Sequence, residues 1–428
     1  MRVAFLNLGC KVNKYETDLL KEKFEMAGHF VVPFDSIADM YCINSCSVTN
    51  MSDRKTRQMV SRAKKLNPKA KVAVIGCSVQ SSDTETEFLD ADIILGNEDK
   101  MNLLEIVNKF SDDKIRKIER QDISKVRRYK NVGKLKKGYD IREQVKIEDG
   151  CNNFCSYCII PYIRGRVRSR DLEEIKKEAK SLVENNVKEI VVVGIEVASY
   201  GKDLENIDLF NVLEILNEIP ELERIRLSSI DPRFLSEVNI SRLSKYNKLC
   251  PHFHISMQSG NNNVLKRMNR KYTKDTLIKI CDNLRKYFKD PYLATDVIVG
   301  FPQETDDEFI DTIDTIKQMD LSEIHVFKYS KRKYTVASKM EGQVEGAIKK
   351  QRSSIVLKLS KELNNKFLEK YKGKGVKVLF ENYTDGILIG YTPNYIKVKV
   401  KGDKLLCGTI QDVVITSLEK DIALGSLD

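Results

Sequence analysis

Val145-Lys146-Ile147-Glu148-Asp149-Gly150-Cys151-Asn152-Asn153-Phe154-Cys155-Ser156-Tyr157-Cys158 runs from a short apolar-alternating segment straight into three closely spaced cysteines. Val145 to Glu148 reads as a strand, so the thiols of Cys151, Cys155 and Cys158 fall at its carboxyl end. Soft thiolates select zinc or iron-sulfur clusters. A closed zinc site or a fully ligated four-iron cluster takes four protein ligands, and here the nearest histidine is His252. Three ligands leave an open iron that can bind and activate something. A zinc site completed from elsewhere in the chain, or three unrelated reduced thiols, are the other readings of the spacing.

Outward from this stretch, strands and helices alternate. Glu189 to Val193, Arg224 to Ser228, His252 to Met257, Leu293 to Val299 and Glu323 to Phe327 continue the strand series. Helical patterns lie between them at Leu172 to Val183, Phe210 to Leu216, Val264 to Met268, Lys274 to Tyr287 and Thr305 to Met319. Six βα units in this order predict a parallel sheet curling into a partial (β/α)6 barrel, with its chemistry at the carboxyl ends of the strands. Toward the N-terminus, Val3 to Leu8, Met40 to Asn44, Val72 to Ile75 and Asp92 to Leu95 read as buried parallel strands. Tyr15 to Met26, Asp53 to Leu66 and Lys100 to Phe110 separate them as helices, which predicts a doubly wound α/β domain. Residues 111–140 are charged and lack apolar periodicity, as a linker does. Residues 346–371 read as one long bridging helix. Val376 to Phe380, Ile387 to Tyr391, Ile396 to Val400 and Asp412 to Thr416 predict a small antiparallel β-barrel, a module that often binds oligonucleotides. The expected organisation is therefore 1–110, a linker at 111–140, 141–370 and 371–428, in the α/β class.

Three N-terminal cysteines each stand just past a predicted strand: Cys10, Cys46 and Cys77. Ends of neighbouring parallel strands lie side by side, so these thiols could converge despite their separation in sequence; buried inert thiols are the alternative. Cys42, Cys250, Cys281 and Cys407 fit that inert role. Ten cysteines in a chain of 428 residues without a signal-peptide pattern suggest metal ligands or buried thiols rather than a disulfide framework. No apolar run of about 18 residues is present to span a membrane, and a cytoplasmic protein is expected. The charge of +11, from 73 basic and 62 acidic residues, is concentrated. Asp53 to Lys71 carries Arg54, Lys55, Arg57, Arg62, Lys64, Lys65, Lys69 and Lys71 against one acid, Lys125 to Arg142 is similarly biased, and Arg164, Arg166, Arg168 and Arg170 follow the cysteines. Clustered cations of this kind suit a nucleic-acid backbone.

Several stretches resemble known motifs. Cys151-x3-Cys155-x-Tyr157-Cys158 is similar to the radical S-adenosylmethionine (SAM) signature. Leu8-Gly9-Cys10-Lys11-Val12-Asn13, Ile43-Asn44-Ser45-Cys46-Ser47-Val48-Thr49 and Ile75-Gly76-Cys77 resemble the three cysteine motifs of the methylthiotransferases. Ile160-Pro161-Tyr162-Ile163-Arg164-Gly165-Arg166-Val167-Arg168-Ser169-Arg170, Arg226-Leu227-Ser228-Ser229-Ile230-Asp231-Pro232, Met257-Gln258-Ser259-Gly260 and Asp296-Val297-Ile298-Val299-Gly300-Phe301-Pro302 look like that family's radical core. The C-terminal barrel is similar to the TRAM module. Nearly the whole chain takes part in the resemblance to the radical SAM methylthiotransferase family.

The resemblance implies two 4Fe-4S clusters, one on Cys151, Cys155 and Cys158 with SAM at its open iron, the other on Cys10, Cys46 and Cys77 holding sulfur. It implies transfer of a methylthio group to carbon 2 of an adenosine beside the tRNA anticodon. The wording of the first cysteine motif, of Ser47-Val48-Thr49-Asn50 and of the arginine run is closest to the MtaB-type subgroup, whose substrate is N6-threonylcarbamoyladenosine at position 37. Sister groups act on isopentenyl-adenosine or on a ribosomal-protein aspartate, and a non-catalytic RNA-binding iron-sulfur protein is the remaining alternative. Expected partners are a tRNA anticodon stem-loop, an electron donor such as flavodoxin or ferredoxin, and a sulfur source. Tyr157 is expected beside the SAM adenine; Gly194, Glu196 and Gln258, just past their strands, are expected near other SAM groups. Arg164, Arg166 and Arg168 are expected to meet the substrate carboxylate or RNA phosphates, to which a planar guanidinium is matched. Where relatives read Phe-Pro-Tyr-Ser and Gly-Thr-Pro-Ala, this chain has Phe327-Lys328-Tyr329-Ser330 and Tyr334-Thr335-Val336-Ala337, and the two lost prolines relax that loop.

Overall fold

The computed structural model describes residues 1–81, 88, 90–109 and 117–427. Its first layer holds β1 (Arg2–Asn7), α1 (Lys11–Met26), β2 (Phe30–Val32), β3 (Met40–Ser45), α2 (Asn50–Leu66), β4 (Lys71–Gly76), α3 (Cys77–Ser81), β5 (Ile93–Leu95) and β6 (Lys117–Glu119). Among the described residues the strands form one parallel sheet in the order β2-β1-β3-β4-β5-β6. Every residue of β3 is buried, which is why its sequence is apolar without alternation. Edge strands β2 and β6 were not legible as strands, because three residues with partly exposed faces make no apolar run. β6 lies inside the stretch expected to be a linker; Phe110 and residues 111–116 lie outside the described residues. The predicted Lys100 helix opens as a 3-10 turn and is helical from Leu103 to Lys109.

The second layer comprises β7 (Arg142–Lys146), β8 (Glu148–Asp149), β9 (Arg168–Ser169), β10 (Glu189–Val193), β11 (Arg224–Leu227), β12 (His252–Gln258), β13 (Tyr292–Val299) and β14 (Glu323–Lys328). Two parallel sheets, β7-β10-β11 and β12-β13-β14, meet through bridges of Ile225 with Leu249 and Ile230 with Ile255. The result is the partial barrel read from the βα alternation, open between β7 and β14. The helix N-termini are set by local chemistry: Thr305 and Glu308 form a capping box before Asp306–Met319, and Asp208 with Asn211 does the same before Leu209–Asn217. β8 and β9 form a short antiparallel ribbon that closes the loop carrying the three cysteines.

The Gly346–Glu369 helix leads to β15 (Gly375–Thr384), β16 (Ile387–Tyr391), β17 (Lys397–Lys401), β18 (Ile410–Glu419) and β19 (Ile422–Leu427), a closed barrel in the order β15-β16-β17-β19-β18. Its pairs are antiparallel except β17 with β19. The sequence suggested antiparallel pairing throughout, but strands that alternate in direction cannot close a ring of odd number, so one pair has to run parallel. This barrel covers the amino ends of the central strands. Arg224 donates to the Tyr391 carbonyl (2.8 Å), Arg226 to the Pro393 carbonyl (3.0 Å), Arg142 pairs with Glu381 (3.1 Å), and the His252 and Tyr395 rings lie 4.6 Å apart.

At the other end the N-terminal sheet is joined to the central barrel by buried charge. Arg164 lies 3.0 Å from both Glu16 and Asp149 and donates to Asn13 at 2.7 Å. Lys146 bridges Glu16 (2.8 Å) and Asp149 (2.7 Å), and Lys100 reaches Glu16 at 2.5 Å. Beside this network Val12 of α1 packs on Val191, Val193 and Ile195 of the central barrel, and Tyr15 donates to Glu178 at 3.0 Å. Burial pushes Glu16 and Asp149 up, yet the neighbouring cations, Arg164 foremost, outweigh it and hold both carboxyls well below the usual range. Removing one partner of a buried pair strands the others, so Arg164→Ala should destabilise the protein by roughly 3–5 kcal/mol. Calorimetry should show a lowered unfolding temperature, and an unchanged one would contradict this role.

Candidate active site

Cys10, Cys46 and Cys77 follow β1, β3 and β4, three adjacent strands of one parallel sheet, so their carboxyl ends bring the thiols together. The thiols sense one another electrostatically: Cys46 is pushed up to about 11, by burial first and then by Cys77 and Cys10. Cys10 is also raised by burial, against the pull of Arg164. Polar groups fix the surroundings. Asn13 accepts from Cys10 Sγ (3.5 Å) and donates to Asn44 (3.1 Å) and to the Ser45 carbonyl (2.9 Å), while Asn97 lies 3.8 Å from Cys77 Sγ.

Cys151, Cys155 and Cys158 form a second trio. Burial, above all, pushes up Cys151, whose neighbours Cys158, Glu196 and Cys155 add to the shift, and Cys158 is pushed up to about 12 by burial and Cys155. Arg270 donates to Cys155 Sγ at 3.1 Å and the Asn153 backbone to Cys151 Sγ at 3.4 Å, so cation and amide stand ready for thiolate charge. All ten cysteines are free thiols. A tetrahedral zinc with Zn–S near ~2.3 Å requires sulfurs only about 3.8 Å apart. Among the described residues, the one set of three metal-ligating side chains whose donor atoms all lie within 4.8 Å of each other is His254, Asp296 and His325, and neither cysteine trio.

The two trios face each other. Cys77 packs against Ile159 and Ile160, directly after Cys158, and against Ile163. Next to this isoleucine layer opens a cavity of about 180 Å³ lined by Cys158, Tyr157, Gln258 and Asp296 on the barrel side and by Val48 and Thr49, just past Cys46, on the other. Arg332 holds that wall by donating to Ser47 (2.7 Å), Asp53 (2.7 Å) and Asn50 (2.5 Å).

Tyr157 and Gln258 therefore both line the cavity. Gln258 has a φ of 68°, a left-handed conformation that costs a non-glycine residue of order 1 kcal/mol or more and recurs where side chains must be aimed at ligands. Gly194 and Glu196 lie elsewhere, on the Cys151 side. A Cβ at Gly194 would sit 2.2 Å from a Glu148 carboxylate oxygen, so only glycine admits that carboxyl. Glu196 donates its backbone N–H to Glu148 (2.7 Å) and accepts from the Asp231 backbone (3.2 Å). Burial above all raises Glu148 to about 8 and Glu196 to about 7. Arg164 and Arg168, expected from sequence to meet substrate, do not: both are buried, Arg164 on Glu16 and Asp149, Arg168 on Glu98 at 2.9 Å. Their carboxylate partners are distant in sequence, which is why the run read as a basic loop. Arg166 alone of the three is exposed, its guanidinium 4.3 Å over the Phe154 ring. Arg270 and Arg332 went unnoticed, since nothing local marks them; Asp231 stood within the quoted Arg226 to Pro232 motif without a role of its own, and Glu148 had a signal, an acidic pair ending a strand just before the cysteines.

Comparison with known proteins agrees with this geometry. Residues 145–316 match the Radical SAM superfamily and residues 2–96 the Uncharacterized protein family UPF0004. The chain is 38% identical to the threonylcarbamoyladenosine tRNA methylthiotransferase MtaB of Bacillus subtilis (strain 168), over 96% of this chain and 93% of the relative. It is 34% identical to the tRNA-2-methylthio-N(6)-dimethylallyladenosine synthase of Alkaliphilus oremlandii, over 95% of this chain and 88% of the relative. Among solved structures, the radical SAM methyltransferase TsrM from Kitasatospora setae superposes with a TM-score of 0.57 at 13% identity, covering 79% of this chain and 75% of that one, a likeness of fold alone. With two converging cysteine trios, both family domains and full-length relatives, the chain belongs to the radical S-adenosylmethionine methylthiotransferase family.

Proposed function

We propose that this protein methylthiolates carbon 2 of N6-threonylcarbamoyladenosine at position 37 of tRNA. The observation that carries the reading is the single cavity walled by Cys158 of one trio and by the loop that follows Cys46 of the other. Cys151, Cys155 and Cys158 would hold a 4Fe-4S cluster that with SAM would supply one-electron bond cleavage, and Cys10, Cys46 and Cys77 would hold a second that would supply the sulfur for transfer. An aromatic C–H offers no useful acidity, so side-chain bases could not do this work.

The chain's own part is to bind, orient and exclude water. The Ile159, Ile160 and Ile163 layer keeps the space between the trios apolar. Glu148 and Glu196, raised by burial, await a positive charge: a SAM ammonium or sulfonium beside them would restore their ionisation. Tyr157 and Gln258 shape the cavity in which the adenine and the cofactor meet. For the RNA, α2 starts at the cavity wall and buries only Thr56, Val60 and Ala63, which leaves Arg54, Lys55, Arg57 and Lys65 on its exposed face. Tyr162 lies 5.9 Å from Phe154 and 6.2 Å from Tyr334, and both tyrosines are exposed. Such a row suits stacking of unpaired anticodon-loop bases, with Arg166 and the basic helix meeting phosphate. A one-electron donor such as flavodoxin or ferredoxin and a sulfur source complete the reading. Among the described residues no helix is long and apolar enough to cross a membrane.

Anaerobic reconstitution with iron and sulfide followed by dithionite and SAM should yield 5′-deoxyadenosine; none would end the radical assignment. In a Cys46→Ala variant iron should fall to about half while 5′-deoxyadenosine still forms, so full iron there would refute the second site. Nucleoside mass spectrometry of tRNA from a deletion strain should show threonylcarbamoyladenosine without its 2-methylthio derivative, and persistence of that derivative would remove the substrate.

A further inference from the structure

One layer below the cavity, on the same faces of β12, β13 and β14, lie His254, Asp296 and His325. Asp296 belongs to both levels, since it also lines the cavity with Ile298 and Phe327, its neighbours two residues on along β13 and β14. Asp296 and His325 are directly paired in register. Asp296 Oδ1 lies 3.0 Å from His254 Nε2 and 3.7 Å from His325 Nδ1, and the two imidazoles are 5.0 Å apart. His254 is buried, yet its Nε2 has no aligned hydrogen-bond partner. His325 is exposed, and its other nitrogen is 3.3 Å from Glu323, which with Asp296 raises its affinity for a proton.

Lys11, the first residue of α1, faces the same recess through the open seam of the barrel. Its ammonium is within electrostatic reach of Asp296, Arg226 and Arg142. Lys11 is exposed, and the next residue, Val12, packs against Val191 and Val193 of β10. Arg226 is neutralised by Glu189 at 2.5 Å and Arg142 by Glu381 at 3.1 Å. Lys11 has no ion pair among the described residues. Two histidines and a carboxylate have the composition of a metal triad, but an unpaired ammonium facing them disfavours another cation and favours an anion that also offers hydrogen-bond donors and acceptors.

The relatives' two named substrates differ in this respect. Both carry a substituent on the amino nitrogen of carbon 6, which flanks the same ring nitrogen as carbon 2, so an adenine with carbon 2 toward the trios sends its substituent along the adjoining wall. A dimethylallyl group is apolar and would leave Lys11, His254 and Asp296 unpartnered. A threonylcarbamoyl group brings a carboxylate, a hydroxyl and a urea. We infer that Lys11, His254, Asp296 and His325 form the subsite for the threonylcarbamoyl substituent, with Lys11 and His325 meeting its carboxylate and Asp296 accepting from its urea or hydroxyl. This inference rests on the substrate proposed above. Sites that hydrogen-bond a polar substituent reject the analogue lacking it far more strongly than apolar pockets reject an added polar group. The recess therefore selects against dimethylallyladenosine as well as for the acid.

The test uses the reconstituted full-length protein and synthetic anticodon stem-loops carrying either threonylcarbamoyladenosine or plain adenosine at position 37, with affinities read by fluorescence anisotropy. Wild type should bind the modified hairpin about tenfold or more tightly than the plain one, the worth of a charge-assisted contact. Lys11→Met and His325→Phe should each lose most of that preference, with iron content checked because Lys11 adjoins Cys10. The second variant keeps the test open where the first disturbs the cluster. No preference in wild type, or an undiminished preference in both variants at full iron, would overturn the subsite. Failure of wild type to methylthiolate the modified hairpin would instead strike the proposed substrate, so the two readings fail separately.

Discussion

Arg164 is the group on which the arrangement of the two layers depends. It follows the Cys151 loop, yet its guanidinium is spent on Glu16 and Asn13 of α1 and on Asp149 at the end of the first barrel strand. A charge this deeply buried is tolerable only when paired and hydrogen-bonded. The pairing is also directional, since a guanidinium forks toward its acceptors in a plane. The N-terminal sheet can therefore dock on the barrel in one register only. A slip that moved Glu16 would strand cations from both layers at once, Arg164 and Lys146 on one side and Lys100 on the other.

The same network sets the electrostatics behind the cysteines. Arg164, Lys146 and Lys100 bring three positive charges against two negative ones on Glu16 and Asp149, with the Arg168 and Glu98 pair self-cancelling. The surplus cation is not wasted. Burial and then Arg164 pull Lys100 down, Cys77 favours the charged form of Arg164, and Arg164 in turn opposes the rise of Cys10. Burial makes a thiolate costly and raises Cys10 and Cys46, and at Cys10 the Arg164 guanidinium offsets part of that cost. Arg270 plays the corresponding part at Cys155. One set of interactions thus both joins the layers and sets the charge around Cys10 and Cys77.

Much of this was legible in the sequence because it is periodic or positional. Buried parallel strands such as Glu189–Val193 announce themselves as unbroken apolar runs, and a cysteine just past each of β1, β3 and β4 marks equivalent points on neighbouring strands. What was illegible depends on pairing across long separations. Arg164 reads as one of a basic series until Glu16, 148 positions away, is found beside it. Arg270 meets Cys155 across 115 positions. Arg332 meets Ser47 across 285. Edge strands of three residues, and the parallel closure of the C-terminal barrel, escaped because neither a short strand nor a strand's neighbour is encoded by local alternation.

The barrel has two ends and a seam, and each is closed differently. The C-terminal module packs on the amino ends of the strands through Arg142, Arg224 and Arg226. The start of α1 packs Val12 against Val191 and Val193 beside the seam, next to the exposed Lys11. At the carboxyl end the cavity opens, and there the wall past Cys46 is held by Arg332. A base reaching the cavity must leave its stack and enter between that wall and Cys158, an unstacking that costs little for a nucleotide in a single-stranded loop and much for one in a duplex. On the proposed function, preference for a base in an unpaired loop over one in a paired stem is thus partly steric, because the cavity lies between the Cys46 wall and Cys158.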